Sequence, residues 1–208
     1  NTLRQACTTS NSRTIYFYVK TVIGTTTFYS KLARTLTIIN ASPTFKSSQL
    51  SYQDINSQVT AITNNPLMIV QNKSNLQVQY TAATAKKYAT ISQYSFTLNG
   101  VTKTSTSAGG TVNFGTVNSD TNLALTTTVT DSRGNTVQAT IDKITCYKYY
   151  TPSFINFKAY RSNGDGSENL NGAYLRCDFS TNIADVNGTN KRTVSVIGVG
   201  NEPIIING

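Results

Sequence analysis

The side chains that could do chemistry in this 208-residue chain are few. It has no histidine. The commonest general base, triad member and metal ligand is therefore missing, which excludes serine-hydrolase, zinc and cysteine–histidine chemistry for this chain. Paired carboxylates, as in glycoside hydrolysis, are what remains. Nine acids are present, but most stand beside turn residues: Asp131 near Gly134, Asp165 between Gly164 and Gly166, Asp185 near Asn187 and Gly188. Acids in turns ordinarily hydrogen-bond the local backbone, so no catalytic residue is assigned and the chain is expected not to be an enzyme.

The loop Asn163-Gly164-Asp165-Gly166-Ser167-Glu168 places three oxygen ligands among glycines, a weak hint of calcium. It lacks the spacing and the terminal Glu of an EF-hand loop, and an ordinary polar loop is the heavier reading. No metal and no cofactor is assigned. The tyrosines Tyr147, Tyr149 and Tyr150 are the candidate surface-contact residues. Exposed tyrosines can stack on sugar rings or anchor a protein contact. Tyr is equally a favoured strand residue that packs between neighbouring units, and that reading outweighs the first. The three cysteines, Cys7, Cys146 and Cys177, have no metal-type spacing and an odd count. Buried reduced thiols fit better than a disulfide framework and suit a protein assembled inside a cell.

The elements that must position these residues are strands. Only 13% of residues are charged, and Thr, Ser and Asn are abundant, as on the outer faces of many short strands. Net charge is +9, but the basic residues before the first acid, Asp54, are scattered singly (Arg4, Arg13, Lys20, Lys31, Arg34, Lys46). A nucleic-acid surface would cluster them with stacking aromatics; a weakly basic surface attracted to polyanions is expected instead. No run approaches the ~18 apolar residues of a membrane-spanning helix, so no membrane insertion is expected.

Period-two alternation is frequent. Ile15, Phe17 and Val19 share one parity and Tyr16, Tyr18 and Lys20 the other, with a turn at Gly24. Leu76, Val78 and Tyr80 form a second run, and Tyr94, Phe96 and Leu98 a third that ends in Asn99-Gly100, the strongest short hairpin signal. Leu123, Leu125 and Val129 lead to a turn at 131–135. Val137, Ala139 and Ile141 follow, with a parity slip before Ile144 and Cys146 that predicts a bulge. Further strands are expected around Ile155–Tyr160 and Leu175–Phe179. Residues 80–88 are alanine-rich but short, and are read as a loop or single turn.

Ser42-Pro43-Thr44-Phe45 recurs as Thr151-Pro152-Ser153-Phe154, 109 positions on. Gly24 and Gly134 precede the two prolines by nearly equal distances. An offset near 100 residues is the size of an immunoglobulin-like β-sandwich. The expected fold is thus all-β, with tandem immunoglobulin-like β-sandwich modules. Residues 1–41 would be the C-terminal part of one module, 42–150 a complete sandwich, and 151–208 the start of a further, truncated or small β module. An opening Asn1 and this phase are consistent with a fragment or a processed chain.

Several stretches carry a family resemblance. Ala41-Ser42-Pro43-Thr44-Phe45, Leu76-Gln77-Val78, Thr84-Ala85-Lys86, Ile91-Ser92-Gln93-Tyr94, Val129-Thr130-Asp131-Ser132-Arg133-Gly134 and Ala159-Tyr160-Arg161-Ser162-Asn163 resemble modules of minor structural proteins in long-tailed phages of Gram-positive hosts. The resemblance covers residues from about 10 to 180. It implies a virion protein of the tail or tail tip, assembled in the host cytoplasm, whose modules act as spacer or host-surface adhesin. The partners it implies are other phage tail proteins and further copies of the chain, with host cell-wall polysaccharide as a candidate ligand. A bacterial cell-surface adhesin or carbohydrate-binding module is the competing reading.

Overall fold

A computed structural model describes residue 5, residues 7–197 and residues 203–207; residues 196–197 and 203–207 are described by their backbone alone. The described fold is all-β, with several small sheets, mostly antiparallel, a short α-helix and a 3-10 turn at Ser47–Gln49.

In chain order the strands are β1 (Ser12–Ile23), β2 (Thr26–Thr37), β3 (Leu50–Asp54), β4 (Ile69–Val70), β5 (Asn75–Tyr80), β6 (Ile91–Leu98), β7 (Val101–Ser105) and β8 (Gly110–Thr116). They continue with β9 (Leu123–Asp131), β10 (Thr136–Ile144), β11 (Cys146–Tyr147), β12 (Ser153–Ser162), β13 (Tyr174–Asn182), β14 (Thr193–Ile197) and β15 (Pro203–Asn207). The chain divides into two compact units. One comprises Asn1–Gln53, Leu76–Gly115 and Leu123–Ile144; the other comprises Asp54–Asn75, Thr116–Asn122 and Thr145–Gly208.

The first unit is organised by two sheets, one ordered β10-β9-β6-β7 and the other β3-β5-β8. Their inner faces meet through aromatic rings. Tyr80 of β5 lies 4.9 Å from Tyr94 and 4.8 Å from Phe96 of β6, centroid to centroid, and Phe45 meets Tyr94 edge-on at 6.0 Å. Tilted and edge-on pairs are the favoured ring geometries, and rings of this size dominate a sandwich core. Alternation supplies the rest. Leu76, Val78, Tyr94, Phe96, Leu98, Leu125, Thr127 and Val129 are buried, while the residues of the other parity, such as Gln79, Ser95 and Thr97, are more open. Asn99 and Gly100, at φ 48° and 76°, close the β6–β7 hairpin; two successive residues of positive φ match the twist of the strands they join. The predicted slip appears as a register shift between Ile141 and Ile144. Residues 81–90 form no helix; they hold a lone bridge between Thr44 and Thr84 and positive φ at Lys87 and Tyr88.

β1 and β2 form a separate two-stranded ribbon, with every residue from Ser12 to Ile23 paired to one from Thr37 to Thr26. Among the described residues no other strand or helix packs extensively on either.

The second unit contains the helix α1 (Ser57–Thr63), which the strand periodicity did not predict. Asn56 starts it, its side-chain oxygen accepting from the Gln58 amide, and Asn64 ends it in the left-handed conformation. Asn is a good residue for both places, and Pro66 blocks continuation. The interior, Val59-Thr60-Ala61-Ile62-Thr63, is mostly β-branched and of poor helix propensity; Val59 packs on a small core of Met68, Val70, Ala184 and Val186. β4 pairs with β11 in parallel, Cys146 opposite Ile69 and Tyr147 opposite Val70. β12 pairs with β13, and β14 with β15, as antiparallel hairpins.

Candidate functional site

The turn at 131–135 does more than reverse the chain. Asp131, buried at the end of β9, accepts from the amides of Arg133 and Asn135 through Oδ1, both at 2.9 Å, and from the Asn135 side chain through Oδ2. With the turn so fixed, Arg133 donates through Nε and Nη2 to the Cys7 carbonyl, at 3.0 and 2.8 Å, and through Nη2 to the Lys87 carbonyl. Ser132 donates to the Thr8 carbonyl. Asn135 and Asn40 exchange side-chain hydrogen bonds, and Asn40 also donates to Asn11. The turn is therefore a clasp on the two chain segments that lead into and out of the β1–β2 hairpin. The Asp-Ser-Arg-Gly sequence signals a turn; that its Arg and Ser reach backbone more than a hundred positions away leaves no local pattern.

The hairpin so held is amphipathic across its width. The register puts Ile15, Phe17, Val19 and Ile23 beside Arg34, Leu32, Ser30 and Thr26, with Thr21 beside Phe28 and Arg13 beside Leu36. All of these share one face, since alternate residues point the same way. The opposite face carries Tyr16, Tyr18, Lys20, Tyr29 and Lys31 together with an exposed Val22, and the Lys31 ammonium lies 3.8 Å from the Tyr16 ring centroid. On the first face Phe17 is 52% exposed, Val19 65%, Ile23 67%, Phe28 54% and Leu32 48%. A sheet face of this composition ordinarily has a layer over it.

The β12–β13 hairpin is built alike. Phe154, Phe157 and Phe179 meet edge-on at 5.8 Å on one face, with Phe154 and Phe157 exposed. The other face holds a charged network. Asp178 accepts from Arg176 Nε at 2.9 Å and from the Tyr160 hydroxyl at 2.7 Å, and Lys158 donates to Glu168 at 2.6 Å. The hydrogen bonds from Arg176 and then Tyr160 lower the Asp178 carboxyl below its ordinary value. The Asp178 bond in turn raises the Tyr160 phenol.

Tyr147 and Tyr149 are half-buried against the Met68–Val70–Ala184–Val186 cluster. Tyr147 is pinned by β11, its carbonyl accepting from the Gln71 amide at 2.9 Å. Tyr150 donates its hydroxyl to the Asn182 side chain and the Ile183 carbonyl. Two of the three side chains thus share one small core, while Tyr150 is engaged at the end of β13. A cavity of about 240 Å³ beside Tyr149 is lined by Val59, Ile62, Val70, Lys73, Val186 and neighbouring polar residues. Its Asn56 and Asn190 amides already donate to the Lys73 and Ala184 carbonyls, and the Lys73 ammonium sits 4.8 Å over the Tyr149 ring.

The loop at 163–168 is satisfied from within. Asp165 Oδ1 accepts from the Ser167 amide and hydroxyl, which lowers its carboxyl, and Asn163 Oδ1 accepts from Asn169. Glu168 is engaged by Lys158. No group of three or more Cys, Asp or Glu gathers among the described residues, and no described helix is long and apolar enough to cross a membrane. The cysteines form no disulfide, and burial pushes the Cys146 thiol up to about 11, far from a reactive thiolate at neutral pH.

Residues 3–191 match the family described as siphovirus protein of unknown function (DUF859). The chain belongs to this siphovirus family. No curated protein and no solved structure matches it. For a siphovirus protein, the surfaces that stand out are the two hairpins, each with an aromatic and aliphatic face left largely open by the described residues, and the clasp that fixes the root of one of them. Such faces bind by burial of area rather than by reacting groups.

Proposed function

We propose that this siphovirus protein is a non-enzymatic structural component of the phage tail or tail tip, its immunoglobulin-like modules serving as spacer or host-surface adhesin. The observation that carries the reading is the pair of uncovered apolar hairpin faces on an all-β chain whose acids are mostly engaged in turns and ion pairs. A virion building block has to present faces of this kind, because its neighbours complete them. The module boundaries at 42 and 150, set by the repeated Pro-x-Phe sequence, belong to the same proposal. So do the partners, which are other tail proteins and further copies of the chain; host cell-wall polysaccharide is the ligand class for an adhesive end. Immuno-electron microscopy of intact virions tests it. Gold label on the tail or its tip is the expected result, and virions with no label anywhere on the tail would overturn the proposal.

A further inference from the structure

We propose that the apolar face of the β1–β2 hairpin is a self-association surface, covered in the assembled protein by the same face of a second copy of this chain. In its biological meaning the proposal rests on the reading of a virion building block; its physical basis is the hairpin itself.

Two observations favour a cover. An isolated two-stranded hairpin is marginal in water, and β1 and β2 pair along all twelve residues of each strand with no third strand beside them among the described residues. The face formed by Phe17, Val19, Ile23, Phe28 and Leu32, continued toward the root by the half-buried Ile15 and Leu36, is also contiguous. A large side chain about half exposed leaves on the order of 100 Å² open, so this face presents on the order of 500–600 Å². That is at the upper end of what a monomer ordinarily exposes. With the Arg13 and Arg34 stems and the Thr methyls at its margin it approaches the roughly 800 Å² per partner of a standard interface.

The composition of the face selects the partner. It carries no acid, and no acid occurs anywhere before Asp54, so it offers nothing to a cationic partner. Its hydrogen-bonding side chains are confined to Ser30, Thr21, Thr26 and the two arginines. The best complement is a flat, two-stranded, apolar face of equal length, and an identical hairpin is one. A two-fold axis in the interface plane can run along the strands or across them, and the like charges at the root favour the one that runs across. It places the root of one hairpin, with Arg13 and Arg34, over the tip of the other, with Ile23 and Thr26. The four guanidinium groups then lie at opposite ends of the interface, whereas a parallel pairing would oppose them. Tyr16, Tyr18, Tyr29, Lys20 and Lys31 remain on the outer, solvated faces.

Sedimentation velocity of the 208-residue chain across a wide concentration range, combined with cysteine cross-linking, tests this. A reversible dimer is expected, unweakened by added sulfate because the contact is apolar. Phe17→Ser is expected to weaken it about tenfold or more with the circular dichroism spectrum unchanged. In a Cys177→Ser background, Ser30→Cys near the centre of the face should give a disulfide-linked dimer under mild oxidation, while Thr27→Cys on the opposite face should not. A chain that stays monomeric throughout, a dimer indifferent to Phe17→Ser, cross-linking through Thr27→Cys as readily as through Ser30→Cys, or a face covered in the native protein by a preceding segment of its own module would each overturn the proposal. Dimerisation through this face in a protein absent from the virion tail would instead overturn the functional reading and leave this one standing.

Discussion

In β6, Tyr94, Phe96 and Leu98 alternate with polar residues and are buried under Tyr80 and Phe45. In β1, Ile15, Phe17 and Val19 alternate in the same way, and Phe17 and Val19 stand more than half open. Both strands belong to antiparallel sheets in the same unit, and both present aromatic and aliphatic side chains on one parity. The difference is whether a second layer lies over the face. Alternation specifies that a face is meant to be covered; it does not say by what. In β6 the cover is β5, from the same chain. For β1 and β2 we place the cover in another copy.

The contrast yields its largest effect in the covered sheet. Phe96→Ala should lower unfolding free energy by about 3–5 kcal/mol, the ordinary cost of emptying a fully packed aromatic site. Phe17→Ala at equal monomer concentration should change it by under about 0.5 kcal/mol, as an exposed position does. Chemical denaturation in urea at low protein concentration measures both, and comparable losses at the two sites would contradict the contrast.

Asp131→Ala comes next, because it links the regions. It leaves the amides of Arg133 and Asn135 without their acceptor, at a cost of about 2 kcal/mol. It should also free the hairpin root that Arg133 and Asn135 hold. The readout is limited proteolysis: cleavage between residues 8 and 12 or 38 and 41 should accelerate beyond what the global destabilisation accounts for. Cleavage that tracks global stability alone would remove the clasp from the account.

A smaller effect is chemical. Cys146 lies buried with its thiol raised to about 11, so it should be labelled by a thiol reagent only as the protein unfolds. The partly exposed Cys177 on the uncovered β13 should react in the native state. Equal native rates would show that the two surroundings do not differ as described.

Smallest is the ion-pair network on β12–β13. The Asp178 carboxyl is depressed in the folded chain, so its contribution to stability is present above the ordinary value of 3.8 and is lost as the pH falls through the folded value. Thermal midpoints of wild type and Asp178→Asn should differ slightly near neutrality and converge in acid. A difference that grows toward low pH would have the wrong sign for this network.

Much of the fold was legible because it rests on local rules. Period two placed β5, β6 and β9, Asn99-Gly100 placed a hairpin, and the parity slip after Ile141 placed a bulge. What escaped depended on distant partners or weak local signals. α1 is built from residues that prefer strands and is held by Val59 against Val70 and Val186, although Asn56 and the Asn64-Asn65-Pro66 stop were readable as its ends. The parallel β4–β11 pair joins two-residue segments almost eighty positions apart, too short for any pattern, and it decides that Tyr147 and Tyr149 pack inward. The reach of Arg133 to Cys7 likewise exists only once the chain has folded.

Hydrogen–deuterium exchange of the 208-residue chain, compared at low and high protein concentration, tests the central claim most directly. If the β1–β2 face is covered by a second copy, backbone amides of residues 15–32 should exchange markedly more slowly at high concentration, while those of β6 and β9 stay as they were. Exchange in β1–β2 that is independent of concentration would contradict it.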